Sequence, residues 1–180
     1  MKRIITALFA ALALFASAST LAARNAAPMG FEIGVATIEQ VKASIGSKTA
    51  LQDGGINAYS DGHMLKGEGK GLDVAGLQRI LFIFDSKGVL SAVRMTLAKD
   101  GFRTMAGQLR GKYKVNAQQL PFVGDAWVHY YAGESLIELD APHLSFEMSL
   151  TYLSKTFQHE FHKRRAAERA AEAKEQAAKL

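Results

Sequence analysis

The 180-residue chain has no cysteine, three prolines and a single tryptophan. Without cysteine there is no disulfide, no thiolate nucleophile, no Cys-based metal site and no lipid-modified bacterial lipoprotein start. No Gly-x-Ser-x-Gly elbow occurs; the nearest text, Ala132-Gly133-Glu134-Ser135-Leu136, reads as a hairpin turn entering a strand. Of the prolines, Pro121 and Pro142 fall where connections are expected, so little interrupts the folded elements. Charge of one sign is also scarce: the formal net charge is +5.

What is present first is an address. Lys2 and Arg3 precede an apolar run from Ile4 to Phe15, closed by Ala16, Ser17 and Ala18, the three-part pattern of a secretory signal. The run is shorter than the roughly 20 residues a membrane span needs, so no transmembrane segment is expected once the signal is cut. Cleavage after Ala18, Ala22 or Ala23 fits equally. The expectation is a periplasmic protein, exported and not lipidated. Removing residues 1–23 takes two of the 22 basic side chains and none of the 17 acidic, lowering +5 to +3, too small an excess to argue for nucleic acid. The remaining 157 residues suit one domain that buries roughly two thirds of its unfolded surface, or two small repeats sharing a core.

Periodicity divides this length. Thr37 stands three residues before Gln40, the capping-box spacing, and Ile38, Val41 and Ile45 recur at helical intervals until Gly46, predicting a helix over 37–46. Strand patterns follow, weak at 56–60 and 63–66, strong at 77–84 and 89–97, the last two joined by Asp85-Ser86-Lys87-Gly88. In the final strand Val93, Met95 and Leu97 share one face while Arg94 and Thr96 share the other, as in a sheet wetted on one side. Phe102, Met105, Ala106, Leu109 and Tyr113 predict a second helix over 102–113. Runs at 126–131, 135–140 and 144–152 predict a three-stranded meander. The expected fold class is α+β: two layers, short helices on antiparallel sheet, with a tandem helix-then-strands duplication as a further expectation. The boundaries are a signal at 1–23, an α+β domain at 24–153 with halves at 33–98 and 101–153, and a C-terminal helix at 154–180. That helix is rich in alanine and charge, with Leu153, Phe157 and Phe161 as an apolar stripe near its start. Arg164 with Glu168 and Glu175 with Lys179 are paired at four-residue spacing. Its far end reads either as a solvated tail or as a partner-docking helix.

Candidate chemistry is thin. His159 and His162 lie three apart, not the four of a zinc-protease helix, and no third ligand is near; His63, His129 and His143 are scattered singly. Asp53 to Gly76 holds seven glycines in 24 residues. Its Gly67-Glu68-Gly69-Lys70-Gly71 lacks the Lys-Ser or Lys-Thr of a nucleotide loop, so it reads as a long hairpin loop open to a partner. Glu138 and Asp140 share the outer face of one strand. Lys99, Arg103, Arg110, Lys112 and Lys114 form the densest basic segment, suited to acidic partners or anionic headgroups as well as to an ordinary solvated helix face. Phe122, Trp127, Tyr130 and Tyr131 cluster around one strand, and the adjacent tyrosines must point to opposite sheet faces.

Ile33-Gly34-Val35-Ala36-Thr37-Ile38-Glu39-Gln40-Val41, ending at Ile45-Gly46, followed by Ile80-Leu81-Phe82-Ile83-Phe84-Asp85-Ser86-Lys87-Gly88-Val89-Leu90, resembles the SmpA/OmlA (BamE-like) envelope family and related β-lactamase-inhibitor-like modules. The resemblance implies small helix-plus-sheet modules that bind other envelope proteins without catalysis or cofactor. The lipobox cysteine of the lipoprotein members is absent here, which sets outer-membrane anchoring aside. The expected function is thus a non-catalytic periplasmic binding or scaffold module with an envelope protein as partner, no cofactor and no metal. Its candidate contacts are Tyr59, His63, Lys70, Trp127, Tyr131, Arg164 and Arg165. The alternative is a binder of a small envelope ligand, a lipid or glycan fragment, held between sheet and helix near Trp127 and Tyr131.

Overall fold

The computed structural model describes residues 24–177. The signal-like segment 1–23 lies outside the described residues, as do Lys179 and the end of the C-terminal helix. The chain forms an α+β structure on one antiparallel sheet. Helix α1 (Ile38–Ile45) leads into strands β1 (Leu51–Ile56), β2 (Asp61–Glu68), β3 (Leu77–Asp85) and β4 (Leu90–Ala98). Helix α2 (Phe102–Arg110) leads into β5 (Lys114–Gln119), β6 (Ala126–Ala132), β7 (Ser135–Ala141) and β8 (Glu147–Ser154), and the long helix α3 (Lys155–Ala177) follows. The strands lie in the order β1-β2-β3-β4-β8-β7-β6-β5 as one open eight-stranded sheet. The last strand of each meander therefore meets the other at the centre, Met95 opposite Leu150.

One sheet face carries the core. Ile80, Phe82, Val93, Met95, Leu97, Leu139, Leu150 and Tyr152 pack there against Val41 and Ile45 of α1 and Phe102, Ala106 and Leu109 of α2. Burying such side chains contributes about 1.5–3 kcal/mol each. Helix α1 starts as its sequence dictates: Gln40 N–H donates to Thr37 Oγ1 while Thr37 N–H donates to Gln40 Oε1. Before α1, the segment from Asn25 to Ala36 straps this face. Gly34 N–H donates to Leu90 O, Leu90 N–H to Ala36 O, and Ala26 N–H to the buried Ser135 Oγ, so the strap ties β4 to β7.

Several sequence expectations change, beginning with two boundaries: the strand expected at 56–60 is a turn following β1, and the helix expected over 102–113 ends at Arg110. The glycine-rich stretch is not one long loop: Gly54 and Gly55 lie in β1, Gly62 and Gly67 in β2, and only 69–76 connects β2 to β3. A side chain on Gly62 would strike the carbonyl oxygens of Phe84 and Asp85, and one on Gly69 that of Leu77, so these glycines serve close backbone approach. The second meander has four strands, because the polar, half-buried Lys114–Gln119 pairs along β6 as the sheet edge. Finally β8 begins at Glu147, leaving Leu144 and Phe146 in a loop.

Candidate functional site: the open face of the sheet

Alternation decides which side chains reach the second face, and register decides which of them become neighbours. Three rows cross it. Met64, Ile83, Ala92, Leu153, Leu136 and Tyr131 form an apolar row across β2, β3, β4, β8, β7 and β6. Lys66, Leu81, Arg94, Thr151, Glu138 and His129 form the second, and Glu68, Arg79, Thr96, Ser149, Asp140 and Trp127 the third.

Helix α3 covers the apolar row. Ser154 Oγ accepts the Phe157 N–H at 3.1 Å, capping the helix, and Phe157 packs on Ile83, Ala92, Leu136 and Leu153. One turn on, Phe161 meets Tyr59 edge to face at 4.7 Å, and Arg164 reaches the β1–β2 turn, donating to Ala58 O and pairing with Asp61 at 2.6 Å. The Arg164 guanidinium holds the Asp61 carboxyl below the ordinary carboxylate range. The expected Arg164–Glu168 pair is replaced by Arg165–Glu168 at 3.5 Å, because Arg164 is committed to Asp61. A hollow of about 420 Å³ lined by Tyr59, Asp61, Asp85, Glu160 and Arg164 remains at this junction.

The two polar rows stay open and divide by charge. Lys66, Arg79 and Arg94 line a hollow of about 400 Å³ with Gln52, Glu68 and Thr96. Arg79 is paired with Glu147 at 2.9 Å; among the described residues Lys66 and Arg94 carry no ion pair. The other half presents Glu138 and Asp140. His129 contacts Asp140 at 3.4 Å and stacks on Trp127 at 4.6 Å. Burial pushes the Glu138 carboxyl above its ordinary value, with neighbouring His129 and His162 opposing the shift and Asp140 adding to it. Among the described residues no group of three histidines, aspartates or glutamates is placed to hold a metal. No helix of them is long and apolar enough to cross a membrane.

The seven sequence candidates do not form one site. Trp127 stands on the open face, and Tyr131, 42% exposed, at the end of the apolar row; Tyr130 points inward and donates to Ala106 O. Tyr59 and Arg164 line one hollow and belong to the same clasp on α3, Tyr59 through Phe161 and Arg164 through Asp61 and Ala58 O. His63 lies at the α1 side with Ile38 and Lys42, Lys70 in the β2–β3 loop, and Arg165 on exposed α3. Neither Trp127 nor Tyr131 lines the hollows described above, so the cavity is displaced from where the ligand alternative put it, to Lys66, Arg79 and Arg94. Sequence reading passed over that basic trio, although the Arg94/Thr96 alternation had marked the face.

No family model matches this chain, and no curated protein does. Among solved structures a DUF4309 family protein, YjgB, of Bacillus subtilis subsp. subtilis strain 168 is similar, with 13% identity over 74% of this chain and 88% of that one and a TM-score of 0.36. At that distance the likeness carries no argument about function. The relationship expected from the sequence is corrected: no family model matches the chain, that of the SmpA/OmlA (BamE-like) family included, and the structural match found is to a DUF4309 protein.

Proposed function

We propose that this protein is an exported, non-catalytic binding module that uses the open sheet face to hold another protein of the cell envelope. The observation that carries the reading is the division of two wet rows into a cationic half, Lys66, Arg79 and Arg94, and an acidic half, Glu138 and Asp140, with Trp127 beside the latter. Complementary charge fixes orientation and partner choice, and a half-buried tryptophan is the side chain type that anchors such contacts. The signal pattern of residues 1–23 supports export to a periplasm. A helix followed by a four-stranded meander occurs twice, with β4 against β8 at the junction, which supports an origin by duplication. The test is co-purification of the tagged, processed protein from its own cell envelope, beside Lys66→Glu/Arg94→Glu. A partner held by the parent and lost at least tenfold in the variant, with unchanged melting, supports the reading; equal recovery removes it.

A second reading rests on the same basic trio. A hollow of about 400 Å³ lined by three cations and one acid, Glu68, with a glutamine and a threonine, suits a small anionic envelope ligand, such as an acidic glycan fragment. Native mass spectrometry of the purified protein distinguishes the two: a bound small molecule lost in Arg94→Glu favours the ligand.

A further inference from the structure

We propose that the two loops at the α2 end of the sheet dock on an anionic lipid surface. The β5–β6 loop carries Leu120, Phe122 and Val123, and the β7–β8 loop carries Leu144 and Phe146. Phe122, Leu144 and Phe146 are 104, 94 and 95% exposed, far beyond the scattered exposure of single apolar residues on a soluble surface. The loops leave the sheet side by side, since Ala126 is paired with Ala141, and they are clipped together by His143 N–H donating to Asp125 Oδ1 at 2.6 Å.

Lipid rather than protein is indicated by two features. The loops satisfy much of their own polar chemistry. Gln119 Nε2 donates to Asp125 O, Ser145 N–H to Pro142 O, Glu147 N–H to Ser145 Oγ and Lys99 N–H to Phe146 O; Lys99 Nζ donates to Pro142 O and His143 O. The β7–β8 loop can therefore approach an acyl boundary with most of its polar groups already paired, and the β5–β6 loop is held against it through Asp125. The second feature is charge. Arg103 and Arg110 line a hollow with Leu120 and Pro121, and Lys99 sits on the other loop, so cations flank the apolar tips where headgroup phosphates would lie. The nearest open row of the sheet is polar at Thr96, Ser149 and Asp140, and Trp127 is its one aromatic member.

The test uses the processed chain beginning at Arg24, as removal of the signal-like segment would leave it, because the run Ile4 to Phe15 would bind lipid by itself. Flotation is measured with vesicles of phosphatidylglycerol and phosphatidylethanolamine, and with phosphatidylcholine alone. The parent binds the anionic vesicles, and each tip changed to serine weakens binding about tenfold, as expected for one apolar side chain kept out of water. Arg103→Gln/Arg110→Gln weakens binding to anionic vesicles and flattens its salt dependence. In a Trp127→Phe background, Phe146→Trp emission shifts to the blue on vesicle addition. No flotation of the parent, or flotation unchanged in Phe122→Ser/Leu144→Ser/Phe146→Ser, overturns the proposal, and so does a tip-dependent protein partner without lipid binding. The tip and arginine variants leave the open-face rows unaltered, so their flotation is independent of the envelope-partner reading; the Trp127→Phe background, which changes the third row, serves the emission measurement alone.

Discussion

Ser135 has no exposed surface, and its Oγ accepts the N–H of the equally buried Ala26 at 3.2 Å. Replacing Ser135 with alanine strands that donor, so Ser135→Ala is expected to lose about 1–3 kcal/mol in chemical denaturation and to expose the Asn25 strap to early hydrogen exchange. Glu138 makes the opposite contribution. Its carboxyl is raised by burial, so between the reference value of 4.5 and its raised value the folded state keeps a proton that the unfolded chain releases. The stability tied to that proton is full below 4.5 and is lost as pH rises through the folded value. Glu138→Gln is therefore more stable than the parent at pH 7, by under about 1 kcal/mol, and the gap closes below pH 4.5. Melting curves at both pH values check this; a gap that does not change with pH contradicts it. At this scale sequence reading goes far in places. Neighbouring Tyr130 and Tyr131 had to part to opposite faces, but which would be inward depended on a helix, α2, whose position over the sheet no local pattern encodes.

Elements with their own periodicity were readable. The Thr37–Gln40 capping box fixed the start of α1, and Thr37→Ala is expected to cost about 1 kcal/mol. Strands β3 and β4 and the stripe at the head of α3 followed from apolar spacing alone. Strand β5 was not readable, because an edge strand whose only apolar residues are the partly buried Val115 and Ala117 carries too short an alternation to stand out. The glycines of β1 and β2 misled for a related reason: Gly62 answers to the carbonyls of Phe84 and Asp85, and Gly55 to the positive φ where the β1 register shifts, rather than to one long loop. Helix α3 divides into a docked head and a free remainder. Phe157→Ala should lower stability by about 2 kcal/mol. Deleting 166–180 should leave the melting temperature within about 2 °C, since among the described residues the interactions holding α3 to the sheet and β1–β2 turn end at Arg164. A large loss on that deletion would mean that the tail packs on the body after all.

At the scale of the molecule, the face that defines the site is made by register across strands far apart in sequence. Lys66, Arg94 and Glu138 become occupants of one row only because β4 closes on β8, a pairing between the ends of two meanders. No spacing in the chain announces that junction, so candidates chosen one by one, such as His63 and Lys70, fell outside the open face. The loop tips escaped notice because Leu144 and Phe146 extend the apolar text of β8 and look like its first residues. The most direct measurement is photo-crosslinking in the producing cell, with the reactive group placed in turn at Lys66, Arg94 and Trp127 on the open face and at Lys42 on α1. The account predicts one common adduct from the three face positions and none from Lys42. Adducts that are the same at all four positions, or absent from the face, would contradict it.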